Sequence, residues 1–378
     1  MKKYKILLVV RHPVGGIRTF FRYVYRNFDL EKYQFTLVAP ELPEARLLLE
    51  DLSGLDLTYM PVSSNVTTRE LVGFVTRALR GDNFDLVHSH GFTSGACTIG
   101  GALWTRTPHI LTCHDVFTQG QFIGLHGFVK RAGLGLVLSL VDCIHCVSHD
   151  ARENLLAFLP ILRPLRRKVI AIPNGIEVGQ FLTAPKRDLR QELGLPPDSF
   201  LIGFLGRFMS QKGFIYLVAA LEELGRKGNL PRKPIILSFG DQGGFIREEK
   251  ENVKRKGLAE SVFFLPFVSD VASTLKGLDV VVMPSLWEAC GLLAMEAMVA
   301  GVPLIGTDCV GLREVLRDTP ASSVPTRDGL ALSQALLKEM RNPTAGAAAA
   351  FAMKAATRFD VNERAAEIEK LMLRLLGA

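Results

Sequence analysis

Residues 278–306 read LDVVVMPSLWEACGLLAMEAMVAGVPLIG. The run 278–283 is apolar without a helical period and stops at Pro284, which is how a strand buried on both faces reads. Residues 291–299 are dominated by the strong helix formers Leu, Ala and Met. Gly301 then supplies a helix stop, and 302–306 is apolar again. Strand, helix and strand within about thirty residues is a unit that joins parallel strands, so the stretch predicts an α/β sheet.

The same signature repeats on both sides of it. Upstream in the same half of the chain, apolar runs stand at 200–205, 235–239 and 261–265, and a last one follows downstream at 321–324. An earlier series occupies 6–10, 35–39, 57–62, 84–89, 108–113, 142–147 and 168–172. Segments long enough for helices separate the runs, including an amphipathic one predicted over 17–28. Two series imply two doubly wound, Rossmann-like domains whose ligand edges are the carboxyl ends of the strands, facing across a deep cleft. A chain of 378 residues also exceeds the size at which one core keeps growing.

Pro173-Asn174-Gly175 closes the first series, and the polar stretch 183–199 follows it. The expected domains are therefore 1–175 and 176–355. A terminal helical segment, 356–378, places Ile368, Met372 and Leu375 on one face and needs a partner surface; it is expected to cross back to the first lobe.

Composition narrows the function classes. With 48% hydrophobic and 22% charged residues the chain reads as globular. Residues 1–175 carry 20 basic and 14 acidic side chains, the remainder 25 and 24, so any steering of anionic surfaces or phosphorylated substrates belongs to the first half. The basic residues are not interleaved with a series of stacking aromatics, which argues against specific nucleic-acid recognition. Six cysteines form no secreted framework and fit a reducing cytosol. Cys143 and Cys146 are three apart on an expected strand and so face opposite sides, which disfavours a redox pair. The basic start Met1–Lys5 precedes an apolar run that Arg11 and His12 end too early for a signal peptide, and no run approaches the length of a membrane span.

Candidate site residues cluster after the strands. Gly15-Gly16 follows the first strand and opens a helix, an arrangement that lets a phosphate or sugar approach the backbone. The Gly-x-Gly-x-x-Gly of nicotinamide enzymes is absent there. Arg207 and Lys212 lie in the loop after 200–205, a fork of donors and a mobile charge suited to a leaving diphosphate. Glu288 precedes the helix whose first amides, at Gly291 and Leu292, can meet a phosphate oxygen. Glu296, set between Met295, Ala297 and Met298, needs a partner such as ribose hydroxyls. All eight histidines fall between 12 and 149 with no metal-binding spacing. Of these His114 stands at the carboxyl edge of a strand, His88 and His90 reach the same region, and His145 sits within a buried strand.

Taken together, these residues resemble the retaining glycosyltransferase family 4, whose members have the GT-B fold. The likeness runs through Gly15-Gly16, Ser89-His90-Gly91, Thr112-Cys113-His114-Asp115, Val147-Ser148, Ile172-Pro173-Asn174-Gly175-Ile176, Gly206-Arg207 with Lys212-Gly213, and the Glu-x7-Glu pair Glu288 and Glu296. The resemblance implies an acceptor-binding first domain and a donor-binding second domain. Arg207 and Lys212 would hold the donor diphosphate, with amides of Gly291 and Leu292. Glu288 would touch sugar hydroxyls, Glu296 ribose, Gly16 the phosphate or acceptor, and His114 the donor sugar near the reacting centre.

The resemblance also implies no cofactor and no metal, since Arg, Lys and helix amides meet the charge. Family frequency favours a UDP-sugar over a GDP-sugar, and a glycan, lipid-linked or small-molecule hydroxyl as acceptor, as in polysaccharide biosynthesis. Two departures bear on the sugar pocket: Cys290 replaces the usual aromatic before the glycine of Glu-x-x-Gly, and Val310-Gly311 replaces Gly-Gly. The apolar and basic segment 117–141, with Arg163, Arg166, Arg167 and Lys168 beyond it, is either a core-facing helix or a contact for the cytoplasmic face of an anionic membrane. Competing readings are another GT-B enzyme, such as a sugar-nucleotide epimerase or a phosphorylase, and a noncatalytic sugar-nucleotide-binding protein.

Overall fold

The computed structural model describes residues 3–240 and 243–377. Met1, Lys2, Asp241, Gln242 and Ala378 lie outside the described residues. Each of the apolar runs becomes a strand. In the first unit these are β1 (Tyr4–Val10), β2 (Tyr33–Pro40), β3 (Leu57–Val62), β4 (Leu86–His90), β5 (His109–Cys113), β6 (Cys143–Cys146) and β7 (Val169–Ala171). In the second they are β8 (Phe200–Leu205), β9 (Pro234–Phe239), β10 (Val262–Leu265), β11 (Val280–Met283), β12 (Leu304–Thr307) and β13 (Ser322–Val324).

Both sheets are parallel throughout, in the orders β3-β2-β1-β4-β5-β6-β7 and β10-β9-β8-β11-β12-β13. The order reverses between β1 and β4 in one unit and between β8 and β11 in the other. At such a reversal the adjoining connections leave in opposite directions and open a crevice at the carboxyl edge. The loops after β1, β4, β8 and β11, which carry most of the candidate residues, therefore start at these two points.

The first compact unit comprises residues 1–175 together with 361–378, and the second residues 176–360. Residues 356–359, expected in the terminal segment, instead finish the helix Ala345–Phe359. The terminal helix is Val361–Leu376 and buries Val361, Ala365, Ile368, Leu371 and Met372; Leu375, also expected on that face, is only half-buried. The helix packs on the turn Phe21–Tyr25, and Tyr33 donates to Glu369 at 3.1 Å. The polar stretch 183–199 belongs to the second unit. Arg190 there pairs with Asp279, which also accepts the Leu201 N–H at 2.7 Å.

One element differs from its expected form. The helix predicted over 17–28 is α-helical only over Gly16–Phe20 and continues as a π turn, Phe21–Tyr25, with Phe20, Phe21, Tyr23, Val24 and Tyr25 all buried. The wider turn accommodates a run of bulky aromatics that an α-helical stripe would split between two faces.

Candidate functional site

In the second unit the site is built from two loops. The loop after β8 is fastened by Phe208, which is 1% exposed and packs against Phe204, Phe214 and Phe264. Its carbonyl accepts the Phe245 N–H at 2.7 Å. With Phe208 turned into the core, its neighbour Arg207 is exposed, and the guanidinium has no hydrogen-bond partner among the described residues. Gly213 ends the loop at φ 65°, where an added Cβ would lie 2.0 Å from the Pro284 carbonyl oxygen. Only glycine lets the two loops approach this closely.

The loop after β11 is held against the first one. The Leu286 N–H donates to the Gln211 carbonyl at 2.7 Å, and the Gln211 side chain donates to the Trp287 carbonyl at 2.9 Å. This places Lys212 Nζ 2.7 Å from Glu288 Oε1, which also accepts from Ser285 Oγ at 2.8 Å. Glu288 is 6% exposed. A carboxylate so far from water is tolerable because it is paired and hydrogen-bonded. Its backbone is clamped too: the N–H donates to the Val310 carbonyl at 3.0 Å, and a Cβ on Gly311 would meet the Glu288 carbonyl oxygen at 2.2 Å. Of the pair Val310-Gly311, the second position is the one at which geometry requires glycine.

Gly291 caps the helix Leu292–Val299. The Leu292 N–H, expected to face a phosphate, instead donates to the Cys290 carbonyl at 2.9 Å, while Ala294 and Met295 donate to the Gly291 carbonyl. Gly291 and Leu293 are left as the amides without a backbone acceptor at this end, among the described residues. The tight turn at 290–292 thus moves the available donor one residue onward. Glu296 lies on the same helix, half-buried between the buried Met295 and Ala297.

In the first unit Gly15 and Gly16 are exposed, and nothing lies within 4 Å of a Cβ built on Gly16. Phe20, one turn on, meets the His114 ring edge-on at 5.0 Å between centroids. Behind His114 runs a chain of buried polar groups. His114 Nε2 is 3.0 Å from His90 Nδ1, and His90 Nε2 is 2.8 Å from the Tyr25 hydroxyl. That hydroxyl is 2.9 Å from His88 Nδ1, and His88 Nε2 is 2.6 Å from Thr112 Oγ1. Thr112 Oγ1 is 3.0 Å from His145 Nδ1, and His145 Nε2 is 2.9 Å from the Ile172 carbonyl oxygen.

Burial drives all these rings toward the neutral form. His145 is pushed down to about 4 despite its bond to Ile172, and His114 to about 3, with His145 a lesser contributor. His88 and His90 fall well below the usual range for the same reason, and burial raises the Tyr25 phenol. Tyr25, Thr112, Ser285 and Gln211 were not candidates from sequence. Their roles depend on cross-strand and loop-to-loop contacts, although His88 and His90, two apart on one strand, were bound to share a face.

A second surface lies on the helix Gly124–Ser139. Leu125, Phe128, Val129, Leu136 and, just beyond, Leu140 are exposed, with Ile123 76% exposed before them. The buried side is made of Gly127, Gly135 and Leu138. A Cβ at Gly127 would lie 2.2 Å from the Phe122 carbonyl carbon and one at Gly135 2.5 Å from Ile161. Apart from Leu138, glycines face the protein while large apolar residues face solvent, the reverse of a core-facing helix. Exposed Arg163, Arg166 and Arg167 follow on the segment packed against it. Among the described residues no helix is long and apolar enough to cross a membrane, and no group of three or more His, Cys, Asp or Glu could hold a metal ion.

The sequence matches two family profiles: the one described as Glycosyltransferase Family 4 over residues 14–180, and the one described as Glycosyl transferases group 1 over residues 185–357. A D-inositol 3-phosphate glycosyltransferase of Actinosynnema mirum is 26% identical over 299 residues, 74% of this chain and 69% of that protein. A UDP-Gal:alpha-D-GlcNAc-diphosphoundecaprenol alpha-1,3-galactosyltransferase of Escherichia coli is 27% identical over 250 residues, 62% of this chain and 60% of that one. The chain thus spans about three fifths to two thirds of the length of the curated relatives it matches. Anabaena HepE, solved in complex with UDP, superposes with a TM-score of 0.80 at 19% identity, covering 99% of this chain and 100% of that one. With two profiles covering nearly the whole sequence and both parallel sheets in place, the chain belongs to the family-4-like glycosyltransferases of GT-B fold.

Proposed function

We propose that this protein transfers a sugar from a nucleotide-diphosphate sugar, a UDP-sugar, to a hydroxyl acceptor with retention at the anomeric carbon and without a metal ion. The observation that carries the reading is the meeting of two loops at the β8–β11 reversal, with Arg207 unpaired among the described residues, Lys212 on Glu288, and the Gly291 amide at a helix start. Fixed cations and amides of this kind stabilise a diphosphate as its charge grows in the transition state. The second unit is assigned the donor, with Glu296 on ribose and Glu288 on sugar hydroxyls. The first is assigned the acceptor, with Gly15 and Gly16 near phosphate or acceptor and His114 on the sugar. HepE was solved with UDP, and the Escherichia coli relative is named for a UDP-galactose donor, which supports UDP.

A noncovalent path fits Glu288. A nucleophilic carboxylate must bond the anomeric carbon and then be displaced, whereas the resemblance assigns Glu288 to sugar hydroxyls, with Oε1 held by Lys212 and Ser285. In the path we favour, the acceptor hydroxyl enters on the face the diphosphate leaves, and a departing phosphate oxygen takes its proton. Product from an α-linked UDP-sugar is expected to be α by NMR of the first-formed anomer, with turnover surviving exhaustive chelation. A β product, a trapped glycosyl-Glu288 adduct, or loss in EDTA rescued by one metal would each sink the corresponding part. Arg207→Ala is expected to weaken UDP binding by about tenfold to a hundredfold in calorimetry, the loss of a charge-assisted hydrogen bond. Unchanged affinity would remove Arg207 from the site.

The apolar face of Gly124–Ser139, flanked by cations, supports a lipid-linked acceptor met at a membrane surface. Sedimentation with vesicles is expected to show binding that rises with anionic lipid and falls with salt, and that Leu125→Ser with Phe128→Ser abolishes. Equal binding to neutral vesicles, or none to either, would remove the electrostatic component or the surface itself.

A further inference from the structure

We infer that one backbone carbonyl, that of Ile172, fixes the tautomers of four histidines in series and so holds His114 with a bare, proton-accepting Nδ1, making His145, Thr112, His88, Tyr25 and His90 positioning residues for a sugar hydroxyl that donates to it. The functional half of this inference rests on the reading of His114 as a sugar contact.

Protons can be counted along these hydrogen bonds from the carbonyl outward. The Ile172 oxygen can only accept, so His145 carries its proton on Nε2. A neutral ring has one proton, so His145 Nδ1 accepts, and the single hydroxyl proton of Thr112 points to it. Thr112 Oγ1 then has no second proton to give, and His88 Nε2 must donate to it. His88 Nδ1 is therefore bare and takes the one proton of Tyr25. Tyr25 Oη in turn receives the proton on His90 Nε2. His90 Nδ1, now bare, accepts from His114 Nε2. What remains on His114 is Nδ1 with its lone pair, which has no partner within the protein among the described residues.

Each link is forced because an uncompensated N–H in a dry interior is far more costly than the ordinary gain of a bond. His88, Thr112 and His145 are 0% exposed and His90 1%. The register makes the row possible: His90 lies beside Thr112, and Thr112 beside His145, on adjacent parallel strands. The inner end is a carbonyl that cannot take up a proton, so the chain does not conduct one. It orients His114 as a hydrogen-bond acceptor and not as a general base. Such a contact recognises a donor hydroxyl and is lost when that hydroxyl becomes an ether or a fluorine.

The test is nitrogen NMR of the full chain labelled in its histidine rings, where protonated and bare ring nitrogens resonate in separate ranges. In the unaltered protein His145, His88, His90 and His114 are all expected as Nε2–H; His114 as Nδ1–H overturns the inference. Thr112→Val deprives His88 Nε2 of its acceptor. His88 is then expected to turn to Nδ1–H, with Tyr25 reversing and His90 and His114 following, while His145 stays as it was. Thr112→Ser is expected to restore the original set. Tyr25→Phe gives an independent break that flips only His90 and His114. Either break leaving His114 unchanged in a folded variant overturns the series.

Titration with UDP-glucose, UDP-galactose and UDP-N-acetylglucosamine is expected to move the bare His114 Nδ1 resonance for at least one sugar, with UDP alone leaving it in place. No movement with any of the three would reject His114 as a sugar contact while the ring spectra judge the tautomer series separately.

Discussion

Acidification from about pH 7 to about pH 5.5 is expected to remove roughly 6 kcal/mol from the stability of the first unit and to leave the second nearly unchanged. Five buried rings produce the effect. His88, His90, His114 and His145 belong to the chain behind the sheet edge, and His109, pushed down to about 3 by burial, is hydrogen-bonded to Ser89 at 2.6 Å. In the unfolded chain each titrates near about 6.5. A folded pKa depressed below that value means the unfolded state binds more protons at acid pH. The contribution is therefore whole above about 6.5 and is lost as pH falls toward the folded values. Between pH 7 and pH 5.5 each ring that stays neutral forfeits a little over ~1 kcal/mol. None of the rings is hydrogen-bonded to a carboxylate that could offset the loss.

The total is comparable to the entire stability of an ordinary domain. The two tryptophans divide the measurement, since Trp104 lies in the first unit and Trp287 in the second. Urea unfolding of Trp287→Phe and Trp104→Phe, followed by fluorescence at several pH values, is expected to show a steep acid loss only where Trp104 reports. All eight histidines lie in the first unit, so an equal loss in both would contradict the assignment to these rings.

The next largest effect concerns Lys212. Replacing it with Ala leaves the Glu288 carboxylate, 6% exposed, with Ser285 as its remaining hydrogen bond. Breaking a buried pair from one side typically removes about 3–5 kcal/mol, and because Lys212 is itself 28% exposed the lower end, about 3, is expected. Adding Glu288→Gln should return most of that stability by abolishing the stranded charge. It should not return UDP affinity, because the ammonium is still missing. Thermal unfolding and calorimetric titration of the two single variants and the double variant therefore separate two roles of one side chain. A double variant as unstable as Lys212→Ala would show the pair is not the source of the loss, and recovered UDP affinity would remove Lys212 from the phosphate site.

The strands were legible because a parallel strand covered on both faces reads as a short, largely apolar run without helical period, and each run so picked out became one. The grouping of candidate residues in the second unit was legible for a local reason: they stand in two loops that leave adjacent strands, so sequence motif and spatial group nearly coincide. The Leu292 amide bonds within its own turn instead, because a one-residue tightening at Cys290 is invisible to spacing. The histidine chain was not legible. His88 meets Thr112 and Thr112 meets His145 across strands whose relative register no residue of the sequence announces, and the ring tautomers follow from a carbonyl still further along. Tyr25 was hidden by the π turn, which an apolar stripe reads as ordinary helix.

The second unit is an insertion within the first, since residues 361–376 return to pack on Phe21–Tyr25. On a ribosome the chain appears in order, and domains close as units when their parts are out. Residues 1–175 must therefore wait, with Tyr33 and the aromatic turn uncovered, while the whole of 176–360 is made and free to fold. The acid-sensitive unit that begins first therefore closes after the second, because the helix that covers its aromatic turn is made after 176–360.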